Sequence, residues 1–147
     1  MVAERSADRA DTLTAVRALA FGARTVERAL DDMTLPQFRV LSLISSSPER
    51  ASRIAEKAAV SRPSLTGLLD GLEQRGWVRR VGVLGDRRGV GLEVTPEGRG
   101  ALRAAERAAA EQLGVLLREV DADERGTVLE GLALLGQALA RRRAALR

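Results

Sequence analysis

Two short runs in this sequence bring together side chains suited to gripping a polyanion. In the first, Ser61-Arg62-Pro63-Ser64-Leu65-Thr66-Gly67 opens a helix, with Ser61 placed to cap it and Pro63 in the first turn, where a missing N–H costs nothing. Leu65, Leu68, Leu69 and Leu72 follow at i, i+3, i+4 and i+7 and form one apolar stripe, which turns Arg62, Pro63, Ser64, Thr66, Gly67 and Asp70 away from the core. The second run, Asp86-Arg87-Arg88, sits at the tip of a glycine-punctuated hairpin. Planar guanidinium donors in that position suit phosphates or a narrow, negative minor groove. A short helix set against a basic hairpin has the shape of a winged DNA-binding module.

Composition leaves little material for catalysis. The 147 residues contain no cysteine and no histidine, which removes disulfides, thiol redox sensing, imidazole bases and the common soft-metal sites. No catalytic residue, metal ligand or cofactor motif is assigned, and no Asp/Glu cluster has the spacing of a metal site. An enzyme would need a Ser-Lys or paired-carboxylate site, and the sole lysine, Lys57, has no evident nucleophile beside it. Met1–Asp11 lacks an apolar stretch and no apolar run approaches the ~20 residues of a membrane span, so the expectation is a cytoplasmic protein without a membrane partner. Charge is unevenly placed. Residues 50–103 hold 11 basic and 6 acidic side chains, a net of +5, against +4 for the whole chain. That concentration is the footprint of a polyanion-binding surface.

The elements that must carry these runs are mostly helical. Leucine- and alanine-rich sequence with 2% aromatic residues favours helices over sheet. The spacing of Leu13, Val16, Ala20, Val26 and Leu30 predicts a long amphipathic helix from about residue 7 to 30. Thr34 and Gln37 form a capping box for a second, short helix that ends at Ser45-Ser46-Ser47-Pro48. Ser52 is placed to cap a third helix through Ala59, and the capped leucine helix stops at Gly76. Strands are expected at Trp77–Val81 and Val90–Val94, with Gly82, Gly85 and Gly89 in the loop between them. Thr95-Pro96-Glu97 starts a fifth helix to about Val120, and Asp121 a sixth carrying Val128, Leu132, Leu135 and Leu139. The fold class is therefore mainly α with a small β-hairpin wing. The organisation is one domain over 1–147, with helices at 7–32 and 100–147 flanking a lobe at 34–99. The terminal helices carry apolar stripes that need a partner, and a partner chain is the expected one.

With these elements in order, the chain resembles the MarR family of bacterial transcriptional regulators. The family's wing signature is Asp-x-Arg, three residues, Val or Leu, one residue, Leu, Thr. Asp86-Arg87-Arg88-Gly89-Val90-Gly91-Leu92-Glu93-Val94-Thr95 fits it, with Val94 in place of the usual Leu. Leu35-Pro36-Gln37-Phe38 resembles the family's second-helix opening, Ser52 through Ser64 its helix-turn-helix, and Glu73 through Arg80 its helix exit and first wing strand. Ala59 stands where the bend often has Gly, and Gly67 and Gly71 sit on a recognition helix that commonly bears longer side chains.

The resemblance implies a winged helix-turn-helix lobe between dimerisation helices. It also implies a homodimeric regulator, a repressor of a nearby operon, bound to a pseudo-palindromic double-stranded operator and relieved by a small-molecule effector. It places the recognition helix in the major groove, with Arg62 on guanine or phosphate and Ser64 and Thr66 on base edges, backbone or a thymine methyl. Arg88 takes the groove-inserting role, with Asp86 orienting the wing through a salt bridge. Arg79 and Arg80 either add phosphate contacts or form a polar strand edge, and Trp77 reads as a core anchor. Effectors in the family bind between the dimer helices and the DNA-binding lobe, which makes Phe21, Arg24, Phe38 and Arg39 candidate pocket residues. The competing reading is a winged-helix protein–protein interaction module, which would have no need of Arg87, Arg88 or the local positive charge.

Overall fold

The computed structural model describes residues 2–46, 51–58, 60–83 and 86–145. Helices α1 (Val2–Ala29), α2 (Leu35–Ser46), α3 (Ala51–Ala58) and α4 (Arg62–Gln74) precede strands β1 (Val78–Val83) and β2 (Asp86–Val94), and α5 (Pro96–Leu117) and α6 (Arg125–Ala144) close the chain. The architecture is mainly helical with one antiparallel two-stranded hairpin, as the sequence predicts.

Helix starts follow the expected cap chemistry at three places. Thr34 Oγ1 accepts the Gln37 amide at 3.3 Å while Gln37 Oε1 accepts the Thr34 amide at 3.0 Å, a complete capping box. Ser61 Oγ accepts from the Ser64 amide at the start of α4, and Thr95 Oγ1 from the Gly98 amide at the start of α5. Helix α4 ends at Gly76, whose φ of 68° lies in the left-handed region that glycine enters without a Cβ penalty. The Gly76 amide bonds Glu73 O and the Trp77 amide bonds Leu72 O, the paired closure of a Schellman turn.

The core forms where α2, α3, α4, the hairpin base and the start of α5 converge. Val40, Leu41, Ile44, Ile54, Leu65, Leu69, Leu72, Val78, Leu92 and Leu102 are all buried there. The leucine stripe of α4 thus turns inward, with Leu68 packed at its edge. Helix α1 runs along α5, and its last turns reach the core through Val26 and Leu30.

Several boundaries differ from expectation. Helix α3 begins at Ala51, so Ser52 lies inside it and is not its cap; Ala59, at the expected bend, lies outside the described residues. Helix α1 begins at Val2 and α5 stops at Leu117. Asp121 does not cap α6. The Glu124 and Arg125 amides both bond its carbonyl in a turn, and α6 starts at Arg125 with no side-chain cap. The Arg125 guanidinium donates to the Val120 and Arg118 carbonyls and so satisfies the end of α5 instead. The strands are also longer than the alternation suggests, because ladder bonds use the backbone and do not require β-branched side chains. Gly82 pairs with Val90 inside the ladder, Gly89 belongs to β2, and Gly85 lies outside the described residues. Trp77 belongs to the turn and not to the strand.

Candidate nucleic-acid interface

Three elements assemble the surface: the start of α4, the hairpin, and the turn that joins them. Burial of Leu65, Leu69 and Leu72 leaves Ser61, Arg62, Pro63, Ser64, Thr66, Gly67 and Asp70 exposed together. Arg62, Thr66 and Asp70 recur every fourth residue and line one face of the helix. The hydroxyls are partly committed. Ser64 Oγ lies 2.7 Å from Ser61 Oγ, and Thr66 Oγ1 donates to the Arg62 carbonyl at 3.1 Å, so both steady the first turns. A cap role for Ser61 and an outward Arg62 are thus compatible in one helix start. A Cβ at Gly67 would meet nothing within 4 Å, so that position presents bare backbone on the exposed side.

The hairpin pairs Val78 with Val94, Arg79 with Glu93, Arg80 with Leu92, Val81 with Gly91 and Gly82 with Val90, then slips so that Val83 faces Asp86. Arg87, Arg88 and Gly89 are therefore additional residues on β2 against a single step of β1. An insertion of this kind bends a ribbon and increases its twist. The backbone of Asp86, Arg87 and Arg88 belongs to β2, while the salt bridge expected of Asp86 lies outside what the structure describes. Arg79 is exposed and bound across the ribbon to Glu93, with Nε at 3.0 Å and Nη2 at 2.6 Å from Oε2.

The turn is welded to α5. Thr95 Oγ1 donates to the Gly76 carbonyl at 2.6 Å, and the Thr95 amide donates to the Trp77 carbonyl at 3.0 Å. Trp77 is half-buried against the core, with the Arg75 guanidinium 4.8 Å from its ring centroid, and Arg75 donates to the Asp32 carbonyl. The expected anchoring role suits this position better than that of an exposed stacking platform. The sequence does not signal the reach of Arg75 to Asp32 or the close approach of Gly98 to the Trp77 backbone, because these contacts join residues distant along the chain.

Four charged or aromatic residues expected in an effector pocket lie on two helices. Phe21 on α1 is 76% exposed and Arg24 pairs with Glu27 at 3.2 Å, while on α2 Phe38 packs against the core and Arg39 is exposed. A separate cavity of about 280 Å³ lies between the α1–α2 corner and α5, walled by Met33, Trp77 and alanines of α5, with Asp31 and Asp32 beside it. Among the described residues no group of three or more acidic side chains is gathered to hold a metal ion, and no helix is long and apolar enough to cross a membrane.

A family model for MarR matches residues 33–90, the stretch from the α1–α2 corner through the hairpin. The chain is 36% identical over 109 residues to a Bacillus subtilis protein named as an uncharacterized HTH-type transcriptional regulator, covering 74% of this chain and 68% of that one. The chain belongs to the MarR family. It is also 32% identical over 76 residues to the homoprotocatechuate degradative operon repressor of Escherichia coli, about half of each chain. Wild-type MarR of E. coli has the same fold, at a TM-score of 0.70 and 25% identity over 81% of this chain and 94% of that structure. A Mycobacterium tuberculosis MarR family protein solved in complex with salicylic acid gives 0.69 and 26% over 83% and 93%. As a MarR family member, the chain is a DNA-binding transcriptional regulator and not an enzyme.

Proposed function

We propose that this MarR family member works as a homodimeric repressor of a nearby operon, released from a pseudo-palindromic operator by a small-molecule effector. The observation that carries the DNA-binding geometry is the single exposed face of α4. Leu65, Leu69 and Leu72 are buried, Arg62, Ser64, Thr66 and Asp70 are exposed, and the hairpin with its register shift follows after a short turn. In this reading Arg62, Ser64 and Thr66 enter the major groove with Ser61, Pro63 and Gly67 shaping the approach. Arg87 and Arg88 reach the adjacent minor groove, Asp86 orients the wing, and Arg79 exchanges its water-exposed partner Glu93 for a phosphate. The lobe at 34–99 reads DNA and the helices at 7–32 and 100–147 dimerise.

Dimerisation is supported by uncovered apolar side chains on α1 and α5, which pack on each other, and on α6. Leu13, Val16 and Leu19 on α1, Val115 and Leu116 on α5, and Leu129, Leu134 and Leu139 on α6 are each close to half exposed, and no described residue of α6 is buried. A helix that carries an apolar stripe needs a partner to bury it, and a second copy of this chain is the partner proposed. The family relative named as an operon repressor supports negative control, and the relative bound to salicylic acid supports an aromatic carboxylate effector. Phe21, Arg24, Phe38 and Arg39 are the proposed effector contacts, with Phe21 covered once α1 meets its partner. An effector acts by binding one spacing of the two lobes more tightly than the other, since equal affinity shifts nothing.

The test is selection of bound duplexes from random-sequence DNA by the full chain, with light scattering on the complex. The expected result is a pseudo-palindrome with half-sites about 10 base pairs apart, bound by two chains. Failure to enrich any sequence, or enrichment of a single half-site by one chain, contradicts the proposal.

A further inference from the structure

We infer that Arg80 is a positioning residue that fixes the angle between the recognition helix and the wing, through a clamp on Asp70 and Glu73. The inference rests on the DNA-binding reading of those two elements and adds what holds them in register. Arg80 stands on β1 opposite Leu92, and its guanidinium crosses back to α4. Nη2 lies 2.7 Å from Asp70 Oδ1 and Nε lies 3.1 Å from Glu73 Oε2. Asp70 and Glu73 are three residues apart and so neighbours on the helix surface, and one guanidinium spans both. The planar fork of arginine suits this task, and a lysine point charge does not.

Two features argue against a free phosphate donor at Arg80. Both of its identified polar contacts are carboxylates, so a phosphate must compete with two anions for one cation. Asp70 also lies on the same exposed face as Arg62 and Thr66, where an uncovered carboxylate would face DNA phosphates. Arg80 neutralises it. Arg79 cannot take over, because strand alternation turns it to the opposite side of the ribbon, where it holds Glu93. The pairs are partly exposed, with side chains 44%, 52% and 31% accessible for Arg80, Asp70 and Glu73, so the strength of each is modest. The consequence is geometric: a groove-reading helix and a groove-reading hairpin must meet the duplex at one fixed pitch.

The two roles for Arg80 predict opposite signs at Asp70. A clamp predicts that Asp70→Asn and Arg80→Gln each weaken binding to the selected duplex by about five-fold, with a salt slope unchanged within about half a unit and a double variant no worse than the single ones. A phosphate donor predicts that Asp70→Asn tightens binding, and that Arg80→Gln weakens selected and random duplexes alike while lowering the slope by about 0.9. Either of these outcomes overturns the clamp.

A second readout needs no DNA and so separates this inference from the reading beneath it. The chain has no cysteine, so spin labels at Gly67→Cys and Gly82→Cys, both in open space, report the helix-to-wing distance directly in chains diluted with unlabelled protein. The expected distribution is narrow and broadens with Asp70→Asn, Glu73→Gln or Arg80→Gln. A distribution indifferent to all three overturns the clamp, whatever the DNA affinities. Failure of the unaltered chain to enrich any duplex overturns the DNA-binding reading alone.

Discussion

Gly98 lies directly beneath the backbone of Trp77. A Cβ at Gly98 would sit 2.8 Å from the Trp77 carbonyl carbon and overlap its oxygen. With the two bonds from Thr95, this contact joins the first turn of α5 to the turn between recognition helix and wing. Gly98→Ala therefore forces backbone to move, and the expected loss is about 1–3 kcal/mol in denaturant unfolding. Gly100→Ala, two residues on in open space, is the control and is expected to be neutral or stabilising by up to ~1 kcal/mol.

Gly67 separates stability from DNA approach. A methyl group there meets nothing in the free protein, so Gly67→Ala is expected to stabilise α4 by up to ~1 kcal/mol. If the helix backbone approaches a groove closely at this point, the same variant loses operator affinity while gaining thermal stability. Melting temperature and fluorescence anisotropy on one sample check both.

How much of this was legible in advance depended on how local the cause was. Thr34 with Gln37, Ser61 with Ser64, and Gly76 at the end of α4 are determined within a few residues, and the structure places each as the spacing predicts. The leucine stripe likewise identified the exposed face by subtraction. What stayed hidden depends on residues meeting across the fold. Arg80 meets Asp70 ten positions earlier on another element, Gly98 meets Trp77 across the turn, and Arg125 reaches back to carbonyls at the end of α5. The start of α6 was misread because Asp121 is a good cap residue whose carbonyl, and not its side chain, closes the turn.

The uncovered helices supply a prediction about assembly. Leu132→Glu with Leu139→Glu places two charges on an apolar stripe of α6 that is 39% and 49% exposed in the single chain. Folding of the lobe is expected to survive, because no core residue is touched. Light scattering is expected to report monomers, and operator affinity to fall at least ten-fold as the two half-sites are no longer held together.

For the effector, salicylate is the probe. Arg24→Ala and Phe21→Ala are expected to weaken its binding several-fold in calorimetry, with operator affinity without ligand unchanged for Arg24→Ala. Among the described residues Arg24 pairs with exposed Glu27, an exposed ion pair whose loss removes little folding stability. Undiminished salicylate binding by both variants would move the effector site away from α1.

The central claim is that the wing grips DNA through its arginines, and affinity measured against salt concentration tests it most directly. For the selected duplex, the unaltered chain is expected to show a steep linear decline of log affinity with log salt, and Arg88→Ala to flatten that slope by about 0.9 per chain while weakening binding. An Arg88→Ala variant with full affinity and the same slope would contradict the account.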